Sequence, residues 1–499
     1  MSDPKNSYRQ IFKATSIFGG VQFLTIVISV IRTKLIAVFL GPAGMGIITL
    51  LNSTLGLISS ISSLGIETSA VKNISENYKN GDLQSVSRII SIVRKIIFFT
   101  GVLGMLLVII FSKTLSVITF GDSSRNWSFI LLSITLLFKQ FSTGQLVVLQ
   151  GLRNVGFLAK ANLYGNLFGL LFSIPLYYFL RIDAIVPSII ITSFSALLFS
   201  FYYSNKIKIK SEKVLEKTFL KEAKTIVKLG LMLIISGVCA LLVTYIIQIY
   251  IEKNGGLEQV GFYNAGFTLL NSYVGIIFTV MSTDYFPKLA SINSDNQKIR
   301  LSVTQQAFMS IIIITPIIVL FLTLIPIVVK VMYTAKFDLI IPMVCFGILG
   351  MLFRAVSWSM GFILIAKGDS KIFIRTALGF NLLSLVMNFL GYHFYGLEGL
   401  GISFCLYFLI HFIGLKVITK NRYDFYFDKD FYQIYFICFL ICAITFLFRY
   451  IEIPILKYSL MTMMIIISLI FSLYQMNNKM NLKEILISKT RKNSQNDKK

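Results

Sequence analysis

The sequence predicts an all-α integral membrane protein of about 14 transmembrane helices, in two six-helix lobes related by an internal repeat, with a C-terminal helical hairpin appended. Three observations predict it. Apolar runs of about twenty residues recur from one end of the chain to the other, each long enough to cross a bilayer as a helix. Lysine and arginine crowd into alternate loops, the bias of a multi-pass protein. One half of the chain also falls on the other at a single offset.

Composition supports the first observation. Of 499 residues, 56% are hydrophobic and only 14% charged, where soluble domains carry about 25% charged residues. Backbone groups in lipid must be satisfied within the segment, so continuous runs of this kind are helices. A β-barrel would instead show short alternating strands. The first run follows a polar, basic start (Met1 to Lys13) and has no small-residue cleavage site after it, so it is read as a retained helix.

Taken in order, the first six spans are about Ala14–Leu40, Gly46–Ile66, Ile89–Phe111, Trp127–Leu152, Phe157–Leu180 and Ala184–Tyr203. The next six are about Ile226–Tyr250, Val260–Thr283, Ser302–Lys330, Ile340–Ile365, Phe373–Tyr395 and Leu400–Ile418. The last pair is near Phe431–Phe448 and Pro454–Tyr474. Placing both termini in the cytoplasm puts most basic residues inside. The densest cluster precedes and enters span seven: Lys206, Lys208, Lys210, Lys213, Lys217, Lys221, Lys224 and Lys228. The C-terminal tail adds Lys479, Lys483, Lys489, Arg491, Lys492, Lys498 and Lys499. Clusters of this kind also occur as anionic-lipid or nucleic-acid patches, but topology determination accounts for these. The net charge of +25 is therefore read without a nucleic-acid partner.

The repeat has an offset of 215 residues, without gaps. Gly46 falls on Gly261, Lys13 on Lys228, Thr68 on Thr283, Phe138 and Lys139 on Phe353 and Arg354, Asn154 on Asp369, and Asn166 on Asn381. Leu, Ile and Phe coincide cheaply in such a chain, so the polar matches carry the argument. The domains expected are residues 1–215 and 216–430 as six-helix lobes, 431–476 as a transmembrane hairpin and 477–499 as a basic cytoplasmic tail. An even number of helices gives both lobes the same orientation, which implies an axis along the membrane normal.

The charges within the spans are all positive. The 22 acidic residues fall in loops, tails or at span edges, with Glu67 and Asp284 at the cytoplasmic ends of spans two and eight. Arg32, Lys34, Lys139 and Arg354 lie inside spans. A charge at a helix centre costs about 2.5–3.5 kcal/mol, so the four together cost on the order of 10 kcal/mol. An aqueous cavity that receives an anion explains that cost. Lys34 is near the outer end of its span and can also snorkel. Lys139 and Arg354 are at mid-span and equivalent in the repeat, which makes them the first candidates for anion binding. Asn162 and Asn166 with Gly169 and Ser173, and Asn381 and Asn388 with Ser384, form polar stripes at helical spacing. Such a stripe either lines a cavity or packs helices tightly. Trp358, one turn beyond Arg354, can stack on a sugar or on that arginine, or simply pack.

Other chemistries find no support. Five cysteines in apolar segments (Cys239, Cys345, Cys405, Cys438, Cys442) have no metal-ligand spacing, so neither a metal nor a cofactor is expected. His393 and His411 read as helix-packing groups, with a proton relay as the alternative. The outer loops Gly41–Met45, Arg181–Asp183, Glu252–Glu258 and Gly396–Gly399 are too short to carry catalytic groups, and no phosphate-binding loop exists. The chain is therefore not expected to be an enzyme.

The stretch Phe39-Leu-Gly-Pro-Ala-Gly-Met-Gly46, after a span holding Arg32 and Lys34, resembles the start of Wzx-type flippases. So does Leu64-Gly-Ile-Glu-Thr-Ser-Ala-Val-Lys72, and with the six-plus-six plan the resemblance covers about residues 10–430. These proteins form the polysaccharide transport branch of the MOP superfamily. The resemblance implies a V-shaped fold like those of MATE and MurJ proteins. It also implies translocation of an undecaprenyl-pyrophosphate-linked O-antigen or related surface-polysaccharide unit across the bacterial inner membrane. Arg32, Lys139 and Arg354 would map onto its cationic cavity. Membrane lipids and a polysaccharide polymerase or chain-length regulator would be partners in lipopolysaccharide biosynthesis. The appended hairpin departs from the twelve-span form and is similar to lipid II flippases of the MurJ type. A lipid II flippase, a multidrug or other MOP antiporter, and a non-transporting scaffold of the pathway thus stand as alternatives.

Overall fold

A computed structural model describes residues 24–207 and 216–480. The start of span one with Lys13, the lysines at 208, 210 and 213, and the tail from 481 lie outside the described residues. Helix α1 covers residues 24–39. It is followed by α2 (Gly41–Ser62), α3 (Ile66–Lys79), α4 (Leu83–Phe120), α5 (Asn126–Gly151), α6 (Val155–Leu180) and α7 (Ile185–Asn205). Next come α8 (Glu216–Thr268), α9 (Ile276–Ser291), α10 (Asn296–Met332) and α11 (Ile341–Ala366). The last are α12 (Ser370–Tyr423), α13 (Lys429–Leu447) and α14 (Pro454–Met480).

Ten apolar helical runs among the described residues are long enough to cross a membrane. Three of them, Val155–Asn205, Ile234–Phe278 and Ser370–Tyr423, are 45 to 54 residues long, and about 20 suffice for one crossing. Each is broken by a residue with positive φ: Arg181 (51°), Gly256 (78°) and Gly396 (55°). Past Gly396 the chain doubles back, since Ser403 Oγ donates to Met387 O at 2.6 Å. Counting these three as two spans each brings the ten to thirteen among the described residues, and α1, whose start lies outside them, precedes these. The all-helical fold of about fourteen spans is thus the one expected. The α2–α3 region differs. Instead of one span over 46–66, α2 starts at Gly41 and ends at Ser62, and left-handed Gly65 (φ 66°, ψ 20°) starts a separate helix. Helix α3 is amphipathic and buries only Ile66, Ser69, Ala70 and Ile74.

The repeat is written into the backbone. Gly41 and Gly256 (φ 67° and 78°), Arg153 and Gly368 (56° and 70°), and Arg181 and Gly396 (51° and 55°) are the same breaks 215 residues apart. Asn154 and Asp369, another such pair, have nearly the same dihedrals (−83°, 69° and −81°, 74°) and the same task. Asn154 Oδ1 accepts the Phe157 N–H at 3.2 Å, and Asp369 Oδ1 accepts the Ile372 N–H at 3.3 Å. Each caps a helix whose first N–H groups have no partner of their own. The most telling pair is Gly46 and Gly261. A methyl on Gly46 would fall 2.0 Å from Leu257 O, and one on Gly261 would fall 2.0 Å from Pro42 O. Positions 42 and 257 are themselves repeat mates, so each member of one pair meets its opposite in the other. Such reciprocity is the mark of a contact on a two-fold relation.

Two compact units result, Met1–Gly261 with Val331–Lys336, and Phe262–Lys330 with Phe337–Lys499. These packing units and the sequence repeat are different divisions of the chain. In the first unit, Ile66, Ala70 and Ile74 of α3 pack with Val86, Ile92 and Val93 of α4, Val147 and Val148 of α5, and Ile226 of α8. The carbonyl oxygens of Leu64 and Gly65 lie against Gly230 so closely that a methyl there would overlap them. Thr119 and Tyr245 tie α4 to α8 at 2.6 Å. In the second unit α11 is the central helix, with Met343, Val344, Ile348, Met351, Ala355, Val356 and Met360 inaccessible. Its backbone passes so near α12 that a methyl on Gly401 would meet Met343 O at 2.1 Å. The hairpin α13–α14 packs on this unit, through Phe446 on Phe346 (4.9 Å between ring centres) and Ser472 Oγ donating to Ile312 O at 2.9 Å.

Candidate functional site

In hydrocarbon an unpaired N–H or charge is costly, so each basic side chain within a span has to find acceptors or water. In the first unit Arg32 of α1 is half-buried and its Nη2 donates to Asn166 O of α6 at 3.2 Å. Tyr177 is within electrostatic reach of it. Lys34, two residues on, donates through Nζ to Tyr333 O. That bond ties α1 to segment Val331–Lys336, the piece of later sequence that belongs to the first unit. Arg181 ties the C-terminal end of α6 to α1, with Nη1 3.3 Å from Phe39 O.

Lys139 of α5 is surrounded by protein yet remains accessible, as a group on a cleft wall does. Glu67, on the first turn of α3, acts on it electrostatically. The break at Gly65 makes this possible, because α3 leaves the line of α2 and carries Glu67 with it. Lys139 thus has an acid from a span end within electrostatic reach, although none lies within the spans themselves.

In the second unit Arg354 of α11 donates through Nη1 to Asn271 Oδ1 at 2.7 Å and lies over the rings of Phe278 and Phe408, each 5.3 Å from its Cζ. Asn271 belongs to a π-helical turn, Leu269–Val274, which joins α8 to α9. A π turn inserts a residue and re-aims the side chains around it. Gly275 closes this one, where a methyl would sit 2.3 Å from Asn271 O. Among the described residues no carboxylate pairs with Arg354. A guanidinium has five N–H donors, and its Nε and Nη2 groups have no oxygen acceptor among those residues. The ring of His411 packs 4.3 Å from Phe380 and 5.7 Å from Tyr407, within electrostatic reach of Arg354.

The remaining sequence candidates fall as follows. Trp358 packs on Phe278, Tyr285 and Phe362 at 5.1–5.7 Å between ring centres. It shares Phe278 with Arg354 rather than stacking on the arginine. Asn162 is exposed, and Asn166 donates from Nδ2 to its carbonyl at 2.9 Å. Asn388 is buried and donates to Ser384 O at 2.7 Å, as its repeat mate Ser173 donates to Gly169 O at 2.6 Å. Asn381 is half-buried on α12. Asn166 and Asn388 thus each donate to a carbonyl on their own helix. Arg32 and Asn166 are in contact; Arg32, Lys34 and Lys139 take three different sets of partners. Sequence reasoning missed Asn271, Phe278, Phe408 and Glu67. Asn271 offered a faint signal as an isolated amide in an apolar span, but its repeat mate is Gly56 and the comparison of halves hid it.

Comparison with known proteins places this geometry. A family model described as "Polysaccharide biosynthesis protein" matches residues 35–342. No curated protein matches the chain in sequence. Among solved structures, the lipid II flippase MurJ in an inward closed conformation is similar with a TM-score of 0.72 at 15% identity, covering 92% of this chain and 99% of that one. An inward-facing multidrug resistance MATE transporter of the MOP superfamily follows at 0.64 and 12%, covering 81% and 94%. A MOP superfamily transporter from Pyrococcus furiosus, whose title describes a binding pocket of reverse polarity, is similar at 0.60 and 14%, covering 85% and 96%. At these identities the likeness is one of fold.

Proposed function

The chain belongs to the family of polysaccharide biosynthesis proteins, and on that premise we propose that it is a flippase. Its cargo would be an undecaprenyl-pyrophosphate-linked oligosaccharide, an O-antigen or related surface-polysaccharide unit, carried across the bacterial inner membrane by alternating access. Both termini would be cytoplasmic, and the protein would act as a transporter rather than an enzyme.

The observation that carries the reading is Arg354, an embedded guanidinium that, among the described residues, has one amide oxygen as partner and no carboxylate. A planar fork of N–H donors suits phosphate oxygens, which it can engage two at a time. The aromatic floor of Phe278 and Phe408 keeps the group in place without neutralising it. A pyrophosphate would bring the missing negative charge, offsetting part of the cost of embedding the cation. Lys139, its repeat mate, would offer a second positive site tempered by Glu67. The sugars would meet the polar stripes, and the polyprenyl tail would stay in lipid.

Substituting Arg354 and Lys139 together by glutamate tests this in cells. Loss of surface polysaccharide, with lipid-linked intermediate accumulating and the protein inserted normally, is the expected result. Unchanged surface polysaccharide in that double variant would sink the proposal. The appended hairpin and the likeness to MurJ favour lipid II as the second reading. Complementation of a strain lacking its lipid II flippase, against one lacking its O-antigen flippase, separates the two.

A further inference from the structure

An apolar groove in the first unit has no part in the site above. It is lined by Leu64 at the end of α2, Ile96, Phe99 and Leu103 of α4, and Ala223 and Val227 of α8, and it encloses about 270 Å³. Among the described residues that line it, the only polar side chain, Thr100, already gives its hydroxyl proton to Ile97 O at 3.2 Å. A water held there would need two to four polar partners, and the wall does not supply them. The space is suited to hydrocarbon.

Its mouth is basic. Lys224 and Lys228 are four residues apart on α8, each exposed and each next in sequence to a groove residue. Lys95, also exposed, stands one turn before Phe99 on α4, about 6 Å along the axis. An ion pair at 3.2 Å between Arg88 of α4 and Glu222 of α8 fixes the two helices to each other at this level. The lysines of the sixth-to-seventh loop read in sequence as topology determinants. The last two are exposed and adjoin groove residues on α8, on the side assigned to the cytoplasm, where anionic headgroups are found.

We propose that this groove binds an acyl chain of an anionic glycerophospholipid from the cytoplasmic leaflet, with the lipid phosphate held by Lys95, Lys224 and Lys228. A bulk lipid fills any apolar surface; the three lysines make this position selective for headgroup charge. Bound there, the lipid would brace α8 against α4 beside the start of α3.

Native mass spectrometry of the full-length protein in a non-ionic detergent tests the proposal, by titration with phosphatidylglycerol and with phosphatidylcholine of the same chains. The first lipid should bind on the order of 100-fold more tightly as phosphatidylglycerol, given about 1 kcal/mol for each of three juxtamembrane lysines. Lys95→Gln, Lys224→Gln and Lys228→Gln together should erase that preference, and Ala223→Trp should remove the first bound lipid with the lysines in place. Because the three lysines are exposed, the glutamine variant decides the matter even if the tryptophan variant misfolds. Equal affinity for both headgroups in the unaltered protein overturns the proposal, as does a preference that survives the triple substitution. Displacement of phosphatidylglycerol by equimolar undecaprenyl phosphate also overturns it, assigning the groove to a polyprenyl tail.

Discussion

Gly46→Ala is the smallest change that attacks the reciprocal contact between α2 and the Gly256–Gly261 segment of α8. The added carbon would lie 2.0 Å from Leu257 O. Carbon and carbonyl oxygen approach no closer than about 3.3 Å, so the two backbones must part by roughly 1.3 Å. Forced overpacking of this kind costs about 1–3 kcal/mol, which shifts a two-state equilibrium about 5- to 150-fold against the closed contact. Gly56→Ala is the control on the same helix, because a methyl there meets nothing within 4 Å. Spin labels on Ala43 and Glu258, themselves repeat mates, report the separation by pulsed electron resonance. Gly46→Ala and Gly261→Ala should each lengthen the distance or add a longer population, and Gly56→Ala should leave it unchanged. A distance distribution identical in all four proteins would refute the idea that backbone contact holds these ends together.

Three other outcomes follow from the geometry. Arg354→Leu should melt within about 1 kcal/mol of the unaltered protein, since the embedding cost removed, about 2.5–3.5 kcal/mol, nearly matches a charged hydrogen bond of about 1.5–3 kcal/mol; a loss of several kcal/mol in detergent melts would make the arginine structural. Asn154→Ala and Asp369→Ala should each lower stability by about 1 kcal/mol through the loss of a cap, and equal shifts in melting temperature would confirm that the repeat mates do the same work. Asp295 caps α10 by accepting the N–H groups of Lys298 and Gln297, both at 3.0 Å. These bonds, first the backbone bond from Lys298, hold its carboxyl below the usual carboxylate value. Its contribution is therefore complete above that usual value and fades as the pH falls through the depressed one; Asp295→Asn should flatten that part of the acid limb in a pH series of melts.

The spans were legible because a bilayer demands about 20 apolar residues per crossing whatever else the helix does. The repeat was legible in polar positions such as Asn154 and Asp369, whose capping work is local and needs one residue type at one place. Helix α3 was not legible as a separate element, because its first residues, Ile66 onward, continue the apolar run of α2. The left-handed conformations of Leu64 and Gly65 divide them. The neighbour of Lys139 was hidden for the same reason, since in sequence Glu67 reads as a span end. The π turn around Asn271 was hidden differently. A π turn depends on what its side chains meet, and Arg354 comes from 83 residues away.

Transport by the purified protein is the most direct measurement. Proteoliposomes would carry an undecaprenyl-pyrophosphate oligosaccharide labelled on its sugar, with passage scored by access of an impermeant reagent to the opposite leaflet. The unaltered protein should give transfer well above that of protein-free liposomes, and a variant combining Arg354→Ala with Lys139→Ala should lose that excess. Transfer no faster than in empty liposomes, or undiminished in the double variant, would contradict the proposed function.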